Sequence, residues 1–292
     1  MNFLKKIFGF KKNETFLKKT SINADDIMNK TVIVDYNDLF TRKYDLIIFK
    51  AFFKKDEIKH IKNVLYGDLS KKITQIDNRY RAIPPVFECL TEKNKDIYFN
   101  NCEKDMVKLN TALGYDIRHK YYEFFKELAQ NNESIKTPYG ITIEEKFQPG
   151  SFRIIPTDYG EIKIHADNNF YPKNSLMFEH IKKQVNLNNH ISYITLIQKP
   201  EKGGNLVIHN IEQSEYRTIN SNNEVINNET GKAVSVNKFL KDEIIIEEGD
   251  LVMFSGGQLW HSVNKLEGSI ERITHGGFSS YSFDKKSIYL WT

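Results

Sequence analysis

His165 and Asp167 are separated by one residue in the stretch Lys163-Ile164-His165-Ala166-Asp167-Asn168-Asn169-Phe170. In an extended strand residues i and i+2 share a face, so this imidazole and carboxylate point the same way while Ile164 and Ala166 point to the other. A second histidine, His261, follows in a β-rich, glycine-punctuated stretch running from Gly249 to Val263. Two histidines and one carboxylate make a facial triad with three open coordination positions, the ligand set of non-haem Fe(II) chemistry. Arg272 comes soon after, in Arg272-Ile273-Thr274, where alternation again places guanidinium and hydroxyl on one face. A planar fork of donors there suits a carboxylate-bearing co-substrate.

The elements that must position these groups fall into two halves. From Gly140 onward the hydrophobic period is alternating rather than helical. Candidate strands are 142–147, 151–156, 161–167, 190–198, 205–209, 244–246, 250–254, 259–263 and 270–278, with a tight turn at 157–160, a Gly203-Gly204 turn and a short helix at 177–185. Many short strands with Gly and Asn turns predict a mainly β protein with flanking helices, built on a double-stranded β-helix, the jelly roll of cupin-like proteins. The preceding half reads as a possible strand at 31–34, a strand at 46–49, a helix starting near Asp56 with Ile58, Ile61, Val64 and Leu65 on one face, and a long helix over 103–129. Pro84-Pro85 breaks any regular element near Arg79 and Arg81, in a loop that could reach over the site. The expected organisation is an N-terminal extension over 1–45 and one domain over 46–292. That domain comprises helical support at 46–139, the jelly-roll core at 140–281, and an Asn-, Ser- and charge-rich insertion at 212–242.

The chain's 292 residues, 40% of them hydrophobic and 13% aromatic, suffice for one large core. A net charge of +4 with scattered lysines argues against a dedicated nucleic-acid binder. Two cysteines, Cys89 and Cys102, read as free thiols in a reducing cytoplasm rather than a disulfide framework. No segment reaches membrane-spanning length. Residues 1–20 mix Phe3, Leu4, Ile7, Phe8 and Phe10 with six lysines, which reads as a frayed extension or as a basic amphipathic helix touching a membrane surface or a partner.

The chain resembles the Fe(II)- and 2-oxoglutarate-dependent dioxygenases in their prolyl-hydroxylase-like branch. The resemblance runs over roughly residues 150 to 281 and rests on HADNNF, ISYITLIQKPEKGGNLVIHN, EGDLVMFSGGQLWHSV and RITHGGF, in the family's order. It implies Fe(II) held by His165, Asp167 and His261, with 2-oxoglutarate and O2 as co-substrates. Arg272 would hold the distal carboxylate of 2-oxoglutarate, Thr274 would add a hydrogen bond, and Tyr193 or Thr195 is a further candidate contact. Family members that halogenate carry a small residue where this chain has Asp167, so the resemblance implies hydroxylation, with desaturation and ring closure open to the same triad.

Among the neighbours, Arg153 is either an anchor for a substrate carboxylate or phosphate, or half of a structural salt bridge, because a buried guanidinium needs a partner. Asn169 is a candidate support for the metal or substrate. His60, His119, His180, His190 and His275 lack a strand-spaced carboxylate, and His209 reads as a surface or core residue. The expected substrate is a small polar metabolite such as an amino acid or derivative. A peptidyl or carrier-protein-bound aminoacyl group, docked on the insertion, is the alternative, and a metal-binding jelly roll without oxygenase activity is a third.

Overall fold

All ten residues of the strand Arg272–Tyr281 are buried, because both its faces are covered: one by helices, the other by a second sheet. The computed structural model describes residues 16–67, 69–76, 80–86, 89–91, 93–131, 133–169 and 179–292. The main sheet runs in the order Lys19–Asn23, Leu46–Lys50, Leu251–Phe254, Ile191–Gln198, Arg272–Tyr281, Ser151–Ile155, Tyr80–Ile83, Thr74–Ile76, and Ser287–Trp291 also pairs with Arg272–Tyr281. The second sheet has the order Lys241–Ile244, Leu206–Glu212, Leu259–Val263, Ile162–His165. Leu196, Val252 and Phe254 of the first pack against Leu206, Ile208 and Leu259 of the second in one cluster. Two largely antiparallel sheets with their apolar faces together are the expected jelly roll.

The helices cover the outer face of the main sheet. Lys55–Tyr66 buries Ile58, Ile61, Val64 and Leu65, the stripe read from its period. The expected single helix over 103–129 is instead two, Lys95–Leu113 and Ile117–Leu128. Gly114 takes a left-handed φ of 75° and ends the first, and the Asp116 side chain caps the second by accepting from Arg118 N. The apolar stripe carries on across this break, which is why periodicity alone merged the two. Ile117, Tyr121, Phe124, Phe125 and Leu128 pack under the sheet.

Several other expectations are corrected. Residues 1–15, with most of the basic amphipathic reading, lie outside the described residues, as do Arg79 and Met177. From residue 16 onward, however, the chain is not an extension. Lys19–Asn23 pairs in parallel with Leu46–Lys50, and Ala24, Ile27, Tyr36, Leu39 and Phe40 enter the main core from two five-residue helices. Such short helices show too few turns for a period to be read. Residues 31–34 form no strand: Thr31 and Val32 donate their N–H groups to Asp26 O, and Ile33 is exposed. Residues 142–147 are a turn with one isolated bridge, Tyr139 to Lys146. Of the helix expected at 177–185, residues 179–181 are helical. Arg81 does not reach over a site; it lies in the strand Tyr80–Ile83 and pairs with Glu271 at 2.6 Å.

Residues 212–242 are not irregular. Tyr216–Ile219, Glu224–Asn227 and Ala233–Ser235 form a three-stranded sheet, and residues 241–242 already belong to a strand of the second sheet. Cys89 and Cys102 are not joined in a disulfide. No helix among the described residues is long and apolar enough to cross a membrane.

Candidate metal centre

The strand Ile162–His165 pairs with Leu259–Val263 so that His165 faces His261, with ring centroids 4.3 Å apart. That strand stops at His165, two residues earlier than expected. Asp167 therefore reaches the same face through a loop rather than through the pleat. Its N–H donates to Gly256 O at 3.0 Å, which pins the loop to the neighbouring turn. A Cβ at Gly256 would collide with the Asp167 carboxylate and the Ser192 hydroxyl; the glycine is required there by close approach.

His165, Asp167 and His261 each offer one ligand atom, and these atoms lie within 4.8 Å of one another. Asp167 Oδ1 stands 3.6 Å from His165 Nε2 and 3.5 Å from His261 Nε2. Cis ligands on an ion with bonds of about 2.1 Å are only slightly closer than this, at about 3 Å. Each histidine holds its other nitrogen on a carbonyl two residues back: His165 Nδ1 on Lys163 O at 2.7 Å, and His261 Nδ1 on Leu259 O at 2.9 Å. A carbonyl can only accept, so both rings carry a proton on Nδ1 and turn Nε2 toward Asp167; for His261, burial alone would lower the pKa, but the Asp167 carboxylate outweighs it and raises it. Burial, then the proximity of His261, pushes His165 down to about 4, which keeps it a neutral donor at neutral pH. For Asp167, burial alone would raise the carboxyl, but His261, His190 and His165 outweigh it and hold it well below the usual carboxylate range. This donor set, two imidazole nitrogens and one carboxylate oxygen on one face, fits Fe(II) with open positions opposite.

The second carboxylate oxygen has its own partners. Ser192 Oγ donates to Asp167 Oδ2, and His190 Nε2 lies 3.8 Å from the same atom. Both come from the start of the strand Ile191–Gln198, and the sequence reading missed both. The usable signal was the alternation His190, Ser192, Ile194, Leu196, which puts all four on the face turned toward the second sheet.

That alternation also decides Tyr193 and Thr195, which face the other way. Tyr193 OH donates to Pro149 O, and its ring packs on Tyr121 and Phe125. Thr195 Oγ1 bonds Tyr121 OH at 2.8 Å. Both are held in the helix-facing core, away from the metal-facing side, and neither is placed to contact a co-substrate there.

Arg272 and Thr274 do share the inner face. In the register Arg272 pairs with Ile155, and Thr274 pairs with Arg153 on one side and Leu196 on the other, so Arg153 points inward beside them. Arg272 is 3% exposed, its Nε has no hydrogen-bond partner, and among the described residues it makes no ion pair. Burial, and then the charge of Arg153, pushes it down to about 10, still protonated at neutral pH. The Gly203-Gly204 turn, with φ of 69° and 68°, brings the chain against this side chain. A Cβ on Gly204 would stand 3.2 Å from Arg272 Cδ. A buried guanidinium with an unused donor is costly unless an anion completes it, and a distal carboxylate of 2-oxoglutarate fits that demand.

Asn169 is half-buried and its Oδ1 accepts from Gln213 Nε2 at 3.4 Å; none of its hydrogen bonds goes to the Asp167 carboxylate. His275 faces the helices, between Tyr121 and Phe152. His209 bonds Ser262 Oγ at 3.1 Å.

The three-stranded sheet at 216–235 backs the ligand strands. Trp260 and Ala166, the chain neighbours of the ligand histidines, are fully buried in one cluster with Val225, Val236 and Ile211. Trp260 Nε1 donates to Tyr216 O at 2.8 Å.

Residues 18–292 match the sequence profile of a family described as carrier-protein-independent halogenase WelO5. No curated protein matches the chain in sequence. Among solved structures, an N-substituted L-amino acid dioxygenase from Burkholderia ambifaria is similar in its complex with alpha-KG. That protein shows 15% identity and a TM-score of 0.52, with 87% of this chain and 89% of that one covered. A second structure of an N-substituted L-amino acid dioxygenase from Burkholderia ambifaria gives 15% identity and a TM-score of 0.53 over 91% of each chain. At that identity the likeness shows the fold.

Proposed function

The chain belongs to the family of the carrier-protein-independent halogenase WelO5, and on that premise we propose that it hydroxylates an unactivated C–H bond of a small polar metabolite, such as an amino acid or derivative, rather than halogenating it. It is an Fe(II)- and 2-oxoglutarate-dependent non-haem oxygenase. The observation that carries the hydroxylase reading is Asp167, a buried carboxylate aimed at both imidazoles. Halogenation needs a metal position open to halide, and Asp167 fills that position with a fixed anion.

In this reading His165, Asp167 and His261 hold the metal, and Arg272 with Thr274 holds the distal carboxylate of 2-oxoglutarate. When bound, the iron and 2-oxoglutarate supply the oxidising chemistry, with decarboxylation to succinate. The chain's own groups orient and exclude. The Nδ1 bonds to Lys163 and Leu259 fix the two rings, Ser192 fixes the carboxylate, and the packed faces of the sheets keep water from the buried charges.

A free small molecule is favoured over a carrier-bound group, because the family is described as carrier-protein-independent and the inner face of the 216–235 sheet is spent on Trp260 and Ala166. The test is turnover of a pool of free metabolites by the purified protein with Fe(II), 2-oxoglutarate, O2 and added chloride and bromide, read by mass spectrometry. A product that gains one oxygen atom supports the reading. A halogenated product, or turnover only with a carrier or peptide partner, refutes it.

A further inference from the structure

The inner face of the main sheet carries one more cation than 2-oxoglutarate needs. Arg153 lies on the strand Ser151–Ile155, level with Thr274 and two pairs along the sheet from Arg272, on the same face. Its Nε is buried without a partner, its Nη2 reaches Thr292 Oγ1 at 3.4 Å, and among the described residues it makes no salt bridge. A ferrous ion with the Asp167 carboxylate carries one positive charge, and dianionic 2-oxoglutarate turns that into one negative charge. Arg272 cancels it, and the charge of Arg153 is left over. The inward positions Ile194, Leu196, Val252, Leu206 and Ile208 are apolar, and among the described residues no carboxylate pairs with Arg153.

Building on the hydroxylase reading, we propose that Arg153 is the anchor for a carboxylate on the primary substrate, which is therefore an anion rather than a neutral molecule. A half-buried arginine whose Nε is buried without a partner and whose Nη2 reaches only a hydroxyl is suited to bidentate capture of a planar carboxylate. Because such a site is built to use its donors, a neutral analogue that leaves them unpaired is discriminated against strongly.

The test uses the full-length protein loaded anaerobically with Fe(II) and 2-oxoglutarate. The probes are N-acetyl-L-leucine, 3-phenylpropanoate and octanoate, each beside its primary amide. Binding is read as a shift of the visible iron-to-2-oxoglutarate charge-transfer band, and turnover as succinate release after O2 is admitted. The proposal expects at least one acid to bind more than about 10-fold tighter than its amide. In Arg153→Gln that preference should vanish, through KM rather than kcat, while the affinity for 2-oxoglutarate holds within about twofold. Equal binding of acids and amides, no binding of either, or a large loss of 2-oxoglutarate affinity in Arg153→Gln overturns it; the last result would assign Arg153 to the co-substrate. Absence of the band in wild type would instead be a failure of the cofactor reading itself, and is separately visible.

Discussion

The Ser192 hydroxyl donates to Asp167 Oδ2, while Asp167 Oδ1 faces the Nε2 atoms of His165 and His261. The two carboxylate oxygens thus have different tasks: one is presented to the metal and the other is held. A carboxylate held by one oxygen binds through the other, which leaves the remaining metal positions for 2-oxoglutarate and O2. Ser192→Ala should weaken Fe(II) affinity by about 10- to 100-fold, the usual effect of losing a partner of a metal ligand, with little change in thermal stability of the metal-free protein. An anaerobic Fe(II) titration beside a melting curve checks both.

The 216–235 sheet makes a separate prediction. Trp260 stands between the sheet and the ligand strand, and its indole N–H is bonded to Tyr216 O. Trp260→Phe keeps a ring in the cluster but leaves that carbonyl short of a donor, at a cost of about 1–3 kcal/mol. Val225→Ala removes buried methyl groups from the same cluster. Both variants should lower the melting temperature by a few degrees and loosen Fe(II) binding. Full retention of iron affinity at reduced stability would make the sheet a passive cover.

His275 carries a pH prediction. Burial, and secondarily Arg153, pushes it down to about 3, against about 6.5 in an unfolded chain. Between those values the unfolded chain takes up a proton that the folded one refuses, so stability is intact above about pH 6.5 and falls as the pH drops. The slope for this one group is about 1.4 kcal/mol per pH unit. His275→Phe, placed between Tyr121 and Phe152, should flatten the acid limb. It will not remove it, because His209, lowered to about 4 by burial and then Lys241, contributes with the same sign. Melting temperature measured from pH 7.5 to 5 in both proteins decides the matter; parallel curves would contradict the assignment.

How much of this was legible in the sequence depends on what each residue's neighbours look like along the chain. His165, Asp167 and His261 were readable because short-range spacing and a glycine-rich context coincide, and Arg272 with Thr274 because alternation fixes a shared face. Alternation was equally available for Ile191–Gln198, but that strand is buried on both sides, so its hydrophobic pattern does not say which face meets the metal. Tyr193 and Thr195 were placed on the wrong side for that reason, and Ser192 and His190 were passed over. The strand Lys19–Asn23 was hidden because it sits at a sheet edge, with partly exposed, polar residues. Ser287–Trp291, which puts Trp291 in the core, was missed as a short run at the end of the sequence.

Arg272→Leu separates the two ligands of the site. The metal should bind as in wild type, since Arg272 is not among the three clustered ligand residues. Affinity for 2-oxoglutarate should fall by about 10- to 100-fold, the weight of a charge-assisted bidentate contact. Loss of iron binding in this variant would show that the guanidinium supports the metal cluster instead.

The most direct measurement is an anaerobic titration of the metal-free protein with Fe(II) and then 2-oxoglutarate, watching the weak visible charge-transfer band in wild type and in Asp167→Ala. The account predicts a saturable band in wild type that is lost or strongly weakened when the carboxylate is removed. Iron that binds without any band on adding 2-oxoglutarate, or a band that is indifferent to Asp167, would contradict it.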